Sequence, residues 1–153
     1  MQTPAQIANT YVTVGTNKAK LLPTKMFVLA IFAGIFIAIA GASATIASAT
    51  VLDPSTARLI NALIFPGGLI MVVLAGSELF TGNNLLIIPL LERKIKIGEL
   101  FKSWIIVYLG NLTGSLFIAA LFVYSHAAGL FDGQLAQTLV NTALTKTHGK
   151  RMI

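Results

Sequence analysis

Polar and apolar positions divide this chain into three long apolar runs separated by short polar stretches, and one run is interrupted from within. Met26 to Leu52 carries no charged side chain over 27 residues. About 20 residues cross the hydrocarbon core of a bilayer, so this run is long enough to span it with tilt. Asp53, Pro54 and Ser55 mark a turn. The chain is apolar again from Leu59 until Glu78 and continues from Leu79 to Leu91 through Thr81, Gly82, Asn83 and Asn84. Ser103 to Phe131 is a third run of 29 residues with no formal charge apart from titratable His126. Phe101 and Trp104 lie at one end of it and Tyr124 near the other, as in an aromatic belt.

The interrupted run decides the architecture. Its second piece has 13 uncharged residues, too few for a spanning helix, while one straight helix from Arg58 to Glu92 is about 50 Å long and overshoots the bilayer. Charge parity resolves the conflict. Lys18, Lys20 and Lys25 precede the first run, and Arg93, Lys94, Lys96 and Lys102 follow the interrupted one, whereas the linker between holds only Asp53 and Arg58. Basic loops stay cytoplasmic, so the first run goes out and Leu59 to Leu91 returns in a single crossing made of two helical pieces.

The flanks read as amphipathic helices. Thr3 is a candidate N-cap before Pro4, and Ile7, Tyr11 and Val14 recur at helical spacing over residues 4–15, with a frayed tail as the alternative. After Phe131, Asp132 can cap a helix in which Leu135, Leu139, Val140 and Leu144 share a face. Within the spans, Ala30, Gly34, Ala38 and Ala42 recur every four residues, and Gly110 and Gly114 form a GxxxG pair; both are faces on which helix backbones approach closely. Asn111-Leu-Thr also matches a glycosylation sequon, but packing is the favoured reading inside a span. The expected organisation is a cytoplasmic amphipathic segment over 1–25, a three-span membrane half-domain over 26–131 and an external amphipathic segment over 132–153. The spans are placed at about 26–52, 57–92 (broken near 77–84) and 101–131.

Composition agrees with a lipid solvent. Hydrophobic residues make up 56% of the chain and charged ones 10%, against about 25% charged in soluble domains. The formal charge of +6 comes from short clusters beside apolar runs, which speaks for membrane topology and against nucleic acid. No cysteine is present, so disulfides, thiolate metal sites and thiol nucleophiles are excluded together. Residues 1–25 are polar and the first apolar run is too long for a signal core, so it is expected to be a retained span. No metal-ligand cluster, catalytic triad or strand-associated phosphate loop is visible, His126 and His148 suit interfacial or solvated roles, and neither an enzyme nor a cofactor is expected.

The chemistry is expected at the break, SELFTGNN. Unsatisfied backbone groups in hydrocarbon cost several kcal/mol each, so irregular backbone at membrane depth implies protein cover or a wet cavity. A second half-helix starting near Asn84, capped by Asn83 or Asn84, points a dipole that favours an anion into the membrane. Glu78 argues for cations or protons instead, or anchors the loop's own amides.

Three stretches, GTNKAKLLPTKMFVLAIFAGIFIAIAG, NALIFPGGLIMVVLAGSELFTGNNLL and SWIIVYLGNLTG, closely resemble the formate/nitrite transporter family, in order and spacing, from about Gly15 to Lys146. The resemblance implies an all-α membrane protein with an aquaporin-like inverted-repeat channel fold: six spans per protomer in two three-span halves, one pore per protomer, and a pentamer. This chain holds one half, with the broken second helix. The family passes small monovalent anions such as formate, nitrite or hydrosulfide, in some cases with a proton. By resemblance, Leu79, Phe80 and Thr81 sit at the pore and Phe65 and Leu69 match apolar constriction residues. Gly76, Glu78, Gly82, Asn83 and Asn84 support the loop, and Lys18 and Lys146 match basic residues near the cytoplasmic and external mouths.

The family's pore histidine belongs to the second half, and neither His126 nor His148 matches it. The missing half is expected from another chain or an antiparallel copy, or the chain is a truncated product. The implied partners are the lipid bilayer, a small anion and further copies of the protein, and the implied place is the cell membrane with the N-terminus in the cytoplasm. Two other readings stay open: a non-conducting membrane assembly piece and an aquaporin-like pore for neutral solutes.

Overall fold

The computed structural model describes residues 3–148, and every regular element among them is helical. Expectations for the His148 side chain and for residues 149–153 lie outside what is described. Helix α1 (Pro4–Ala19) opens on a reciprocal cap, in which Thr3 Oγ1 accepts from Gln6 N and Gln6 Oε1 accepts from Thr3 N. It runs four residues past the expected end because its last turns are docked. Gly15 packs against Leu86 and Pro89, Ala19 joins Leu86, Ile95 and Leu100, and Lys102 Nζ donates to the Ala19 carbonyl at 3.1 Å.

Three membrane-crossing helices follow. Helix α2 (Pro23–Ser48) takes Pro23 in its first turn, where a missing N–H costs nothing. Helices α3 (Pro54–Ile64) and α4 (Pro66–Leu74) form one 21-residue span, Pro54–Leu74, jointed at Phe65. Asp53 caps α3 by accepting from Thr56 N and Oγ1, which holds its carboxyl below the ordinary aspartate range. Helix α7 (Ile97–Tyr124) starts six residues before Ser103, with Glu99 accepting from Lys96 N. It stops seven residues short of Phe131, because His126 turns left-handed (φ 56°) and a short turn over Ala127–Gly129 follows. Large apolar side chains on all three spans face outward, Leu63, Val73 and Leu116 among them, as a lipid solvent allows.

The helices meet through small residues. A Cβ on Gly34 would overlap the Asn111 carbonyl, and one on Gly114 the Ile31 carbonyl, while Gly110 lies against Ala30. Gly110 meets Phe27 and Ala30 while Gly114, one turn on, meets Ile31 and Ile35, so α2 and α7 run parallel with their backbones in contact. Gly68 lies against Ala40 while Phe65 approaches Gly41, so α4 runs antiparallel to α2. The apolar segment after α2 thus returns along it as α3 and α4, and a break follows before the chain turns helical again.

The break differs in detail from its expected place. Gly76 (φ 61°) ends α4 in a Schellman motif, with Ser77 N donating to Val72 O and Gly76 N to Val73 O. Helix resumes already at Phe80, in α5 (Phe80–Asn83), a 3-10 turn Asn84–Leu86 and α6 (Ile87–Leu91). The irregular backbone is thus 75–79, shorter and earlier than 77–84, and neither Asn83 nor Asn84 caps the second piece. Asn83 instead turns to α7, where its Nδ2 donates to Ser103 Oγ and its carbonyl accepts from Trp104 Nε1, both at 3.0 Å. At the far end, α8 (Gln134–His148) begins after Gly133, with Phe131 and Asp132 both at positive φ, so Asp132 lies outside the cap. Of its apolar residues, Leu135 is buried and Leu139 half-buried against α2 and α7, while Val140 and Leu144 stay exposed.

Candidate functional site

Where α4 ends, the chain leaves a recess of about 510 Å³ lined by Lys18, Leu69, Val72, Val73, Gly76, Ser77, Leu79, Thr81 and Gly82. Helix α4 supplies the apolar wall, the break supplies the polar floor, and α1 brings Lys18 from a remote part of the sequence. Leu79 is extended (φ −104°, ψ 133°), which is what carries the chain across the gap between the two helical pieces.

Every polar handle of Glu78 is occupied. Its N–H donates to Leu29 O at 3.3 Å, its carbonyl accepts from Asn111 Nδ2 at 2.9 Å, and its carboxylate meets Lys18 Nζ at 3.1 and 3.3 Å. The carboxylate side chain is 4% exposed and the lysine 29%. Glu78 therefore anchors the loop through its side chain and its backbone, and offers no free carboxylate to a cation. The same pairing cancels most of the long-range pull of Lys18 on an anion, leaving a locally neutral pair at the edge of the recess.

Two further contacts hold the floor. Tyr11 O–H donates to Gly82 O at 3.1 Å, tying α1 to the second helical piece; burial, and then the charge of Glu78, push its phenol above the ordinary tyrosine value, so the donor stays protonated. Asn111 Oδ1 accepts from Phe80 N at 2.9 Å while its Nδ2 bonds both Ala30 O and Glu78 O. Ser77 Oγ and Asn83 Oδ1 are buried without a hydrogen-bond partner among the described residues, Ser77 at the recess and Asn83 behind it.

The residues singled out in the sequence divide. Leu69, Leu79, Thr81, Gly76, Gly82 and Lys18 border the recess together. Phe65 does not: it lies at the joint of the span, its ring edge turned toward Gly41 of α2. Phe80 points the other way, into edge-on contact with Trp104 and Tyr108 at centroid distances of 6.4 and 5.6 Å. Asn83 is fully buried and Asn84 exposed. Lys146 borders a separate shallow depression on α8 with Thr138, Asn141, Thr142 and Thr145. Asn111 was legible only as part of a packing motif; the missed signal is a carboxamide in mid-span, which must find partners in hydrocarbon. Among the described residues, no group of three or more His, Cys, Asp or Glu side chains could hold a metal ion.

The sequence model of the formate/nitrite transporter family matches residues 5–152. The formate channel FocA of Haemophilus influenzae is 36% identical over 148 residues, covering 95% of this chain and 52% of that protein. The uncharacterized transporter YrhG of Bacillus subtilis is 40% identical over 133 residues, 84% of this chain and 49% of that one. Among solved structures, an FNT family ion channel superposes with a TM-score of 0.72 at 28% identity, covering 78% of this chain and 49% of the channel. The chain spans about half the length of the curated relatives it matches. These relatives are named as channels and transporters, and none of the names describes an enzyme. With three spans, the second broken and its backbone anchored between α2 and α7, this multi-pass membrane protein belongs to the formate/nitrite transporter family.

Proposed function

We propose that the chain forms one wall of a membrane pore for a small monovalent anion of the formate, nitrite or hydrosulfide class. The observation that carries this reading is the recess at the break, where Leu69, Leu79 and Thr81 border irregular backbone between two apolar helical pieces. Such backbone is stable only against protein or water. The recess is open on one side, and the relatives are about twice as long, so a second set of helices closes the pore and covers the break. That set is either the remainder of a longer chain or a separate one. Phe65, exposed at the joint, continues the apolar constriction beside Leu69, Phe80 backs the break against Trp104 and Tyr108, and Gly76, Glu78, Gly82, Asn83 and Asn84 shape the loop. Lys18, held by its pair with Glu78, marks the inner mouth, and Lys146 stands at the outer mouth.

The wall is mostly apolar, which bears on what crosses. A bare ion loses its hydration there at high cost, whereas the neutral acid crosses cheaply, so a proton accompanies the anion through the narrowest part. The assembly is a homo-oligomer, a pentamer as implied by the family resemblance, in the cell membrane. Its N-terminus is cytoplasmic, on the side that carries Lys20, Lys25, Arg93, Lys94 and Lys96. Uptake of isotopically labelled formate, nitrite and hydrosulfide into vesicles holding the chain with its completing helices tests the proposal. Uptake of at least one above empty vesicles is expected. Vesicles that pass none of the three overturn it, and swelling in glycerol without anion uptake assigns the pore to neutral solutes.

A further inference from the structure

The carboxamide of Asn111 pairs with the break as a peptide group does in a sheet. Its Oδ1 accepts from Phe80 N at 2.9 Å and its Nδ2 donates to the Glu78 carbonyl at 2.9 Å, the two groups that flank Leu79 on one edge of an extended strand. Its second proton goes to Ala30 O at 2.8 Å, which fixes the carboxamide against α2. The reverse orientation would set its oxygen against two carbonyl oxygens, so the three bonds define one arrangement. Gly34 makes the arrangement reachable, because any larger residue there would strike the Asn111 backbone.

In an extended strand, residues alternate between its edges. With 78 and 80 bonded on the Asn111 side, the Leu79 peptide groups face away from it. The Leu79 carbonyl takes Asn83 N at 3.0 Å, and the Leu79 N–H has no partner among the described residues. Leu79 and Thr81 both border the recess, while Phe80 between them turns to α7. We infer that Asn111 is the positioning residue of the break: its carboxamide stands in for a neighbouring strand and thereby sets which face of Leu79–Thr81 the recess receives. This role rests on the proposed pore only for its consequence in transport; the placement itself is measurable without any flux.

The absence of cysteine makes the measurement direct. L79C is introduced into the full chain, in the membranes where it assembles, and its labelling by a small water-soluble thiol reagent is timed with Asn111 intact, with N111L and with N111D. With Asn111 intact, the labelling rate defines the reference. N111L removes both donor and acceptor, and a change of fivefold or more is expected. N111D keeps the shape and the acceptor; ionised, it sets a second oxygen against two carbonyls, and protonated, it regains one donor. Its labelling rate, taken relative to the L79C parent at each pH, is expected to depart from the parent at high pH and return toward it on acidification. That reversal is a signature which general destabilisation does not produce, and it needs only that N111D folds. Labelling of both variants within twofold of the parent at every pH overturns the inference, as does an N111D rate that stays displaced without a pH trend. Formate uptake measured separately, with Leu79 unchanged and the completing helices present, keeps the two readings apart: uptake with unchanged labelling rejects only the Asn111 role, and pH-dependent labelling without uptake by the Leu79 protein rejects only the pore.

Discussion

At the residue scale, the break is held by polar groups that answer each other across long stretches of sequence. Lys18 and Glu78 are the clearest case, a pair with one partner buried and the other partly exposed. Removing one charge of such a pair leaves the other desolvated and alone, whereas removing both is much less costly. K18M is therefore expected to destabilise the folded chain by about 2 kcal/mol, discounted for the exposure of the lysine, and E78Q added to K18M to recover at least half of that. Thermal unfolding of the four proteins of this cycle in one detergent measures it; additive losses contradict the pairing. Local chemistry of this kind was only half legible in the sequence. The Thr3 cap and the Asp53 turn could be read because each closes within three residues. Glu78 could be marked as an intramembrane carboxylate, but its partner could not be chosen, because that choice depends on where α1 docks.

At the scale of elements, apolar runs fixed the number of crossings and small residues fixed how closely they cross. Gly34 and Gly114 carry no side chain because a backbone occupies the space, whereas Gly67 in α4 has nothing near it. Ala at Gly34 or Gly114 is expected to cost about 2–3 kcal/mol by forcing α2 and α7 apart, while G67A is neutral or stabilises by up to about 1 kcal/mol through helix propensity. Loss of a cross-link between α2 and α7 in G34A, with G67A unaffected, checks the contrast; equal behaviour of the two contradicts it. The ends of elements were harder to read than their existence. The second piece of the broken span starts at Phe80 instead of Asn84, because Gly76 ends α4 early and Asn111 satisfies backbone that would otherwise need a cap. The directions of the aromatic side chains were hidden for a related reason. A joint at Phe65 and an extended Leu79 rotate their neighbours, so Phe65 and Phe80 turn toward α2 and α7 while Leu69, Leu79 and Thr81 border the recess.

At the scale of the whole molecule, charge parity and run length gave the three-span architecture, and the motifs gave the family, because both are written in long, redundant patterns. The recess was not readable in the same way: it needs α1, α4 and the break together. The central claim is that this recess is one wall of the conducting path, and blocking it tests that most directly. T81C places the single thiol of the chain at the recess, and anion uptake is measured before and after its quantitative reaction with a small thiol reagent. Loss of at least nine-tenths of formate uptake in T81C, with the cysteine-free parent untouched by the reagent, is the result predicted; complete labelling of T81C with uptake unchanged would contradict the account.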